Sequence, residues 1–464
     1  MPVRIGPQVQ AALRPVSDGD EDMDAAVQRA ESGRADLDGL IRTVADALTG
    51  GGDADLIHQA TLQQFLWWRL PRAYPEEDWE GLVEAAHVLL DELGMARLAG
   101  IARSEETRKI LGVWAIDDED GAAAFRAAYG ASGVEPPDTP DLAWGSYLEI
   151  DEVRALDAVE RALGDALETG ALVAGVPRWK AKAAAITTEV LTRPLDIPPG
   201  QTLAGMVTTE RVAHWIRAAR DPEHEAWRSG VANRLLNPVT ARADPATAVA
   251  PVVWLLQLAS AQGGAELTQS FSLARASVVE AAERFGWWDW PKAPRSEADV
   301  HQLGTVRDAL TRLRLVRRRG RRLHTTAGGA ELLADPAGLW SVVAAETEDG
   351  EDFTRMVAEL VGLRLLRGRA EYNQLTTTIL PILVAQGWPA GGGPITLNQV
   401  SSAVWKPLRW WLLLGAVDEQ ESTWDRETHR QVTPQAFTLT ADGVQMVLAY
   451  MRSRAVAPRR RIWE

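Results

Sequence analysis

The chain has 464 residues, with 64 acidic and 49 basic side chains and a formal net charge of −15. That length exceeds one ordinary hydrophobic core, so two to four domains are expected. Cysteine is absent, which excludes disulfides and thiolate metal sites and fits a reducing, cytoplasmic setting.

The charge is uneven. Residues 1–150 carry 28 acidic and 12 basic side chains, and the remainder is close to neutral at +1. An acidic N-terminal third of this kind suits solubility or a protein partner. The first residues lack a signal-peptide apolar core, and no segment has the apolar length of a membrane span, so no membrane association is expected.

Residues 1–35 read as a weakly ordered acidic N-terminus; Asp18, Asp20, Glu21, Asp22 and Asp24 lack the Gly and closing Glu of an EF-hand loop. An acidic helical domain is expected over 36–135. Asp36 is a plausible cap for a helix carrying Ile41, Val44 and Leu48, which Gly50 to Gly52 would stop. Trp79, Leu82, Val83, Ala86, Leu89, Leu90 and Leu93 make an amphipathic stripe. Asp117 to Asp120 reads as a loop and cap, and Glu135 to Pro140 as a domain edge. A second helical domain is expected over 141–240, closed by Pro238, with helices near 151–169, 179–191, 207–219 and 223–236. The most apolar helix follows, over 249–258.

The stretch 299–333 is the most informative. Asp299 is a candidate N-cap, and Val300, Leu303, Val306, Leu310 and Leu313 have helical spacing. Next comes a run without acids: Arg312, Arg314, Arg317, Arg318, Arg319, Arg321 and Arg322. Gly320 stands in it where a tight hairpin needs positive φ. Thr325 or Thr326 then caps a further helix. The pattern predicts a winged helix with a basic hairpin wing, against the alternative of a solvated hairpin in an Arg-rich sequence. The C-terminal part repeats it: an apolar helix ending at Gly415, a strand at Ala416-Val417, a large polar hairpin, then Thr440-Ala441-Asp442-Gly443 aligned with Thr326-Ala327-Gly328-Gly329.

The segment Leu267-Thr268-Gln269-Ser270-Phe271-Ser272-Leu273-Ala274 resembles the "LTxTGxL..A" segment of uncharacterised actinobacterial proteins, some of which carry a plasmid ORF-3-like domain. The LRLVRRRGRRL stretch, LLADPAGLW at Leu332 to Trp340, and the later LGAV and FTLTADG are similar too. The resemblance covers roughly residues 250–450 and implies a fold without an activity. Ser270-Phe271 departs from it, standing where that pattern has Thr-Gly.

Chemistry is not written into the chain. The histidines 58, 87, 214, 224, 301, 324 and 429 lack metal-ligand spacing. There is no GxSxG elbow and no phosphate-cradling Gly-rich loop before a Lys. The indoles of Trp287, Trp288 and Trp290 read as packing rather than base-stacking groups. The expected fold is therefore mainly α, with two winged-helix-like modules at 241–345 and 346–455, short β-hairpin wings, and a basic tail at 456–464. The expected function is a non-enzymatic DNA-associated regulator without a cofactor. Its contacts with double-stranded DNA would run through Arg312, Arg314, Arg317, Arg318, Arg319, Arg321, Arg322 and His324. The alternative is a protein-interaction scaffold of the same shape that does not touch DNA.

Overall fold

The computed structural model describes residues 20–37, 39–196, 198–346, 352–390, 393–424 and 431–459. Asp18, His429, Arg460 and Arg461 lie outside them, as do the side chains of Asp20, Glu21 and Asp22. The fold is mainly α, with small antiparallel sheets. No described helix is long and apolar enough to cross a membrane.

The chain divides into two compact units, residues 1–210 with 458–464, and residues 211–457. The division falls at 210 and not at the expected 240. It lies inside a continuous helix, Leu203–Arg217, whose one glycine, Gly205, stands five residues before it. Helix Pro222–Leu235 buries Trp227, Val231 and Leu235 in the core of the C-terminal unit, so Pro238 marks a loop within that unit.

In the N-terminal unit, helix Asp20–Gly33 replaces the weak order expected through residue 35. Met23, Ala26, Val27 and Ala30 are buried at i, i+3, i+4 and i+7. Two of the four are alanines, which dilute the apolar signal. Asp36 does not cap the next helix; its carboxylate takes two hydrogen bonds from Arg34, at 2.9 and 2.7 Å. Helix Leu40–Thr49 starts after Gly39 and ends at Gly50, whose φ is +66°. Asp117 caps helix Asp118–Ser132 by accepting from Glu119 and Asp120 N–H.

A π-helical turn, Phe65–Arg69, precedes Pro71. Proline lacks an N–H, so the carbonyl four residues back loses its helical donor. That carbonyl belongs to Trp67, and Trp114 Nε1 donates to it at 3.1 Å instead. Nearby, Glu160 is buried and accepts from Tyr129 Oη at 2.7 Å and Gln64 Nε2 at 3.1 Å. Burial pushes its carboxyl up to about 7, against the pull of His58 and the Tyr129 hydrogen bond.

The C-terminal unit has one continuous apolar core. Two segments in it follow the same order. The first runs helix Ala250–Ser260, strand Ala265–Glu266, helices Arg275–Phe285 and His301–Arg312, strands Val316–Arg319 and Arg322–Thr325, and helix Ala327–Ala334. The second runs helix Asp352–Leu366, strand Ala370–Glu371, helices Tyr372–Ala385 and Leu397–Leu413, strands Val417–Gln420 and Ala436–Leu439, and helix Ala441–Ala455. In each, the last strand lies between the other two. The two first strands were not expected from the sequence. Each is two residues long, and each closes a three-stranded antiparallel sheet. A further two-residue pairing, Pro389–Ala390 with Gly393–Pro394, also lies outside the expected hairpins.

The repeat extends to the atoms at the corner after each hairpin. Thr326 N donates to Leu315 O at 2.9 Å and its Oγ1 to Arg314 O at 2.8 Å, and Thr440 N donates to Ala416 O at 3.0 Å and its Oγ1 to Gly415 O at 3.1 Å. Each Thr then caps its helix by accepting from Gly329 or Gly443 N–H. A Cβ on Gly329 or Gly443 would overlap the Leu315 or Ala416 carbonyl, so only glycine fits.

The helices of this unit are tied by one buried ion cluster. Glu359 is fully buried; His224 Nε2 donates to its Oε1 at 3.0 Å, and Arg228 Nη2 lies 2.6 Å away. Gln386 Nε2 donates to His224 Nδ1 at 3.1 Å, and Arg454 Nε approaches Glu359 Oε2 at 3.5 Å. Burial alone would raise the Glu359 carboxyl. The His224 hydrogen bond and the Arg228 and Arg454 charges outweigh it and hold it at about 2.

The two buried carboxyls give opposite pH dependences. Glu359 is depressed, so its stabilisation is complete above about 4.5 and is lost as pH falls toward about 2. Glu160 is raised, so its contribution is complete below about 4.5 and is lost as pH rises through about 7. Each is on the order of 3 kcal/mol. Urea unfolding against pH is expected to show Glu160→Gln abolishing a decline between pH 4.5 and 7 in the N-terminal unit. Glu359→Gln is expected to flatten the acid limb of the C-terminal unit and cost about 3–5 kcal/mol at neutral pH, because its cations lose their partner. Separately, Gly329→Ala and Gly443→Ala should each destabilise by about 1–3 kcal/mol or more in thermal unfolding. A neutral result at either would break the equivalence of the two corners.

Candidate nucleic-acid interface

The hairpin of the first module is built from the inside out. Val316 and Leu323 are buried and anchor its base to the core. Gly320, at φ +58°, turns the chain in a two-residue loop between the paired residues Arg319 and Arg322. Register then assigns faces. Directly opposed residues of an antiparallel pair share a face, and faces alternate along each strand. Arg318 is opposite Leu323 and lies on the core-facing side. Arg317 is opposite His324, and Arg319 opposite Arg322, so these four share the outer side.

Each expected site residue can now be placed. Arg317, Arg319 and Arg322 are exposed, and His324 is half-buried, its ring lying against Gly264. Arg322 Nη1 donates to Gly264 O at 3.3 Å and Arg321 Nε to Leu267 O at 3.3 Å, which fixes the turn onto the first strand. Arg314 is exposed at the end of helix His301–Arg312, with φ +57°. Arg312 pairs with Glu346 at 3.3 Å and so stands apart from the rest. Among the described residues, none of Arg314, Arg317, Arg318, Arg319, Arg321 and Arg322 has a carboxylate within 4.0 Å; Glu266, opposite Arg322 on the first strand, is the acid in register with the hairpin. The sequence run hides Glu266, which lies 56 residues before Arg322.

Two residues that the sequence reading did not assign to the site shape it. Phe271 stands at the position of the glycine in the resembled pattern, and its φ is +62°, a costly conformation for a bulky side chain. Its ring carries the Arg318 guanidinium at 3.9 Å from the centroid. Arg307 donates to Phe271 O at 3.0 Å and to Glu297 Oε2 at 2.8 Å. Glu297 Oε2 also accepts from Leu273 N–H at 2.6 Å, so Arg307 is a structural cation of the turn. Burial raises the Glu297 carboxyl, against the Leu273 hydrogen bond and the Arg307 charge. Asp299 does not cap helix His301–Arg312; it turns back to accept from Arg295 and Ser296 N–H at 2.8 and 3.0 Å.

The second module presents the opposite charge. In the strand that corresponds to Val316–Arg319, Val417 is buried and Asp418, Glu419 and Gln420 are exposed. Gln435 donates to Glu419 at 2.6 Å and Arg369 to Gln420 at 3.1 Å. The aromatic segment after Phe285 mostly packs: Phe285 and Trp287 lie 4.8 Å apart, Trp288 Nε1 donates to Lys292 O, and Trp290 is exposed. Among the described residues, no group of three or more His, Asp or Glu could hold a metal ion.

Residues 246–338 match the family described as the Y4jL N-terminal domain. That span is about a fifth of the chain and takes in the whole first module, from helix Ala250–Ser260 through helix Ala327–Ala334. No curated protein and no solved structure matches the chain.

The Phe271–Arg318 stack can be measured by a double-mutant cycle of Phe271→Leu and Arg318→Met in urea unfolding. The expected coupling is about 0.5–1 kcal/mol. Phe271→Gly should cost less than Phe271→Leu, because glycine relieves a left-handed backbone worth about 1–2 kcal/mol. Zero coupling would mean that Arg318 is not held by the ring.

Proposed function

We propose that the first module is a winged-helix unit that binds double-stranded DNA through the outer face of its hairpin, in a non-enzymatic regulatory protein. The observation that carries this reading is the set Arg317, Arg319, Arg322 and His324 on one side of the sheet, without an acid in salt-bridge contact among the described residues. Such a cluster repels itself unless it is solvated or meets an anion, and phosphate oxygens suit the guanidinium fork. The helix–strand–helix–helix–hairpin order supports a winged-helix assignment, as does the resemblance over residues 250–450. The family match over 246–338 coincides with the same module. The overall charge of −15 opposes a polyanion at long range, but screening over about 10 Å at 0.1 M salt leaves a local patch usable.

For the second module a specific observation favours the other reading, a protein-interaction surface. Asp418 and Glu419 occupy the strand positions where the first wing carries arginine, and they would repel phosphate.

Fluorescence anisotropy on duplex DNA across about 50–200 mM salt tests the proposal. Affinity should fall with a log–log slope of about −0.9 per phosphate contacted. Arg317→Ala with Arg319→Ala should weaken binding and flatten the slope by about two units, while changing stability by less than about 0.5 kcal/mol. Glu266→Gln should strengthen binding. Absence of binding by the unmodified chain at low salt removes the DNA reading. Binding that survives the double substitution moves the contact off the hairpin.

A further inference from the structure

The expected basic tail contains a residue that is held rather than free. Arg459 belongs to the N-terminal unit, and its side chain is only 11% exposed. Three carboxylates surround its guanidinium: Glu149 at 2.7 Å, Glu152 at 2.7 Å and Glu210 at 3.8 Å. Glu152 is fully buried. Glu210 also accepts backbone N–H from Asp151 and Glu152 at 3.0 and 3.2 Å, which fixes it at the N-terminus of helix Ile150–Glu168. The Arg459 main chain is gripped as well. Its carbonyl accepts from Ser146 N–H at 2.9 Å and Tyr147 N–H at 3.2 Å. A Cβ on Gly145 would meet that carbonyl at 2.5 Å and the Arg459 N at 2.8 Å, so the chain can lie there only because residue 145 is glycine. The Tyr147 ring lies 5.8 Å from the guanidinium.

Main-chain hydrogen bonds, a glycine floor and a carboxylate-lined pocket for one side chain are the components of a peptide-recognition groove. We propose that Gly145 to Tyr147 with Glu149, Glu152 and Glu210 form an arginine-directed peptide site, occupied in cis by the chain's own Pro458 and Arg459. Arginine fits and lysine does not fit equally, because Glu149 and Glu152 meet separate nitrogens of one planar fork. The site is then exchangeable: an arginine-bearing strand in trans competes with the covalent segment, whose advantage is its high effective concentration.

The test uses the chain ending at Ala457 and a fluorescent peptide of residues 458–464, PRRRIWE. The shortened chain is expected to bind this peptide. The Arg459→Ala peptide should bind at least tenfold more weakly, and the Arg459→Lys peptide should fall between. The intact chain should bind the labelled peptide at least tenfold more weakly than the shortened one. Failure to bind, or equal binding of the parent and Arg459→Ala peptides, overturns the proposal. If the shortened chain does not fold, hydrogen exchange in the intact chain decides. The Ser146 and Tyr147 amides should exchange at least tenfold faster in Arg459→Ala, with the amides of helix Asp118–Ser132 unchanged. Unaltered protection at Ser146 and Tyr147 overturns the site.

Discussion

One backbone carbonyl in each module of the C-terminal unit does the work of a hinge pin. Leu315 O and Ala416 O each accept from a threonine N–H, the same threonine's hydroxyl donates to the preceding carbonyl, and each lies against a glycine that leaves no room for a side chain. Each threonine thereby ties two successive carbonyls, one through its N–H and one through its single hydroxyl proton. The arrangement joins the start of the outer strand to the start of the following helix. The hairpin between them is thereby held at its base, and its far end can carry almost any side chain without disturbing the core. That separation of base from tip explains how two modules share topology, register and corner geometry while their outer strands carry Arg317-Arg318-Arg319 in one case and Asp418-Glu419-Gln420 in the other.

The same separation bears on how charge is used. In the first hairpin, Arg318 lies on an aromatic ring whose backbone sits in a left-handed conformation, while Arg317 and Arg319 project from the other face. Strain of this kind persists only where surrounding contacts over-determine it. Arg307 supplies one such contact by binding both Phe271 O and Glu297. The run of arginines is therefore not uniform: some are structural and some face outward. By contrast, Arg228 at Glu359 is committed to the interior, where a buried carboxylate without a cation would be destabilising.

Much of the architecture was legible in the residues because it rests on local signals. Gly320, Gly415 and the Thr326 and Thr440 caps act within a few residues of themselves, and helical periodicity does the rest. Three features were not legible. The two-residue strands Ala265–Glu266 and Ala370–Glu371 are too short to show alternation and exist only through partners distant in sequence. The capping roles of Asp36 and Asp299 lost to nearer donors, Arg34 for the first and backbone N–H groups for the second. The division at 210 lies within a helix, where composition carries no mark. For the candidate site, the basic residues and their turn were readable. Phe271, Glu266 and the pairing of Arg312 with Glu346 were not, because each is set by tertiary contact.

Arg459 gives the N-terminal unit an unusual history during synthesis. The segment that fills the pocket of Glu149, Glu152 and Glu210 is made roughly 250 residues after Glu210, once the whole of residues 211–457 has been translated. At about 5–20 residues per second, the ribosome needs on the order of 10–50 s to cover that distance. Throughout that interval Glu149, Glu152 and Glu210 have been synthesised and Arg459, the cation that pairs with all three, has not.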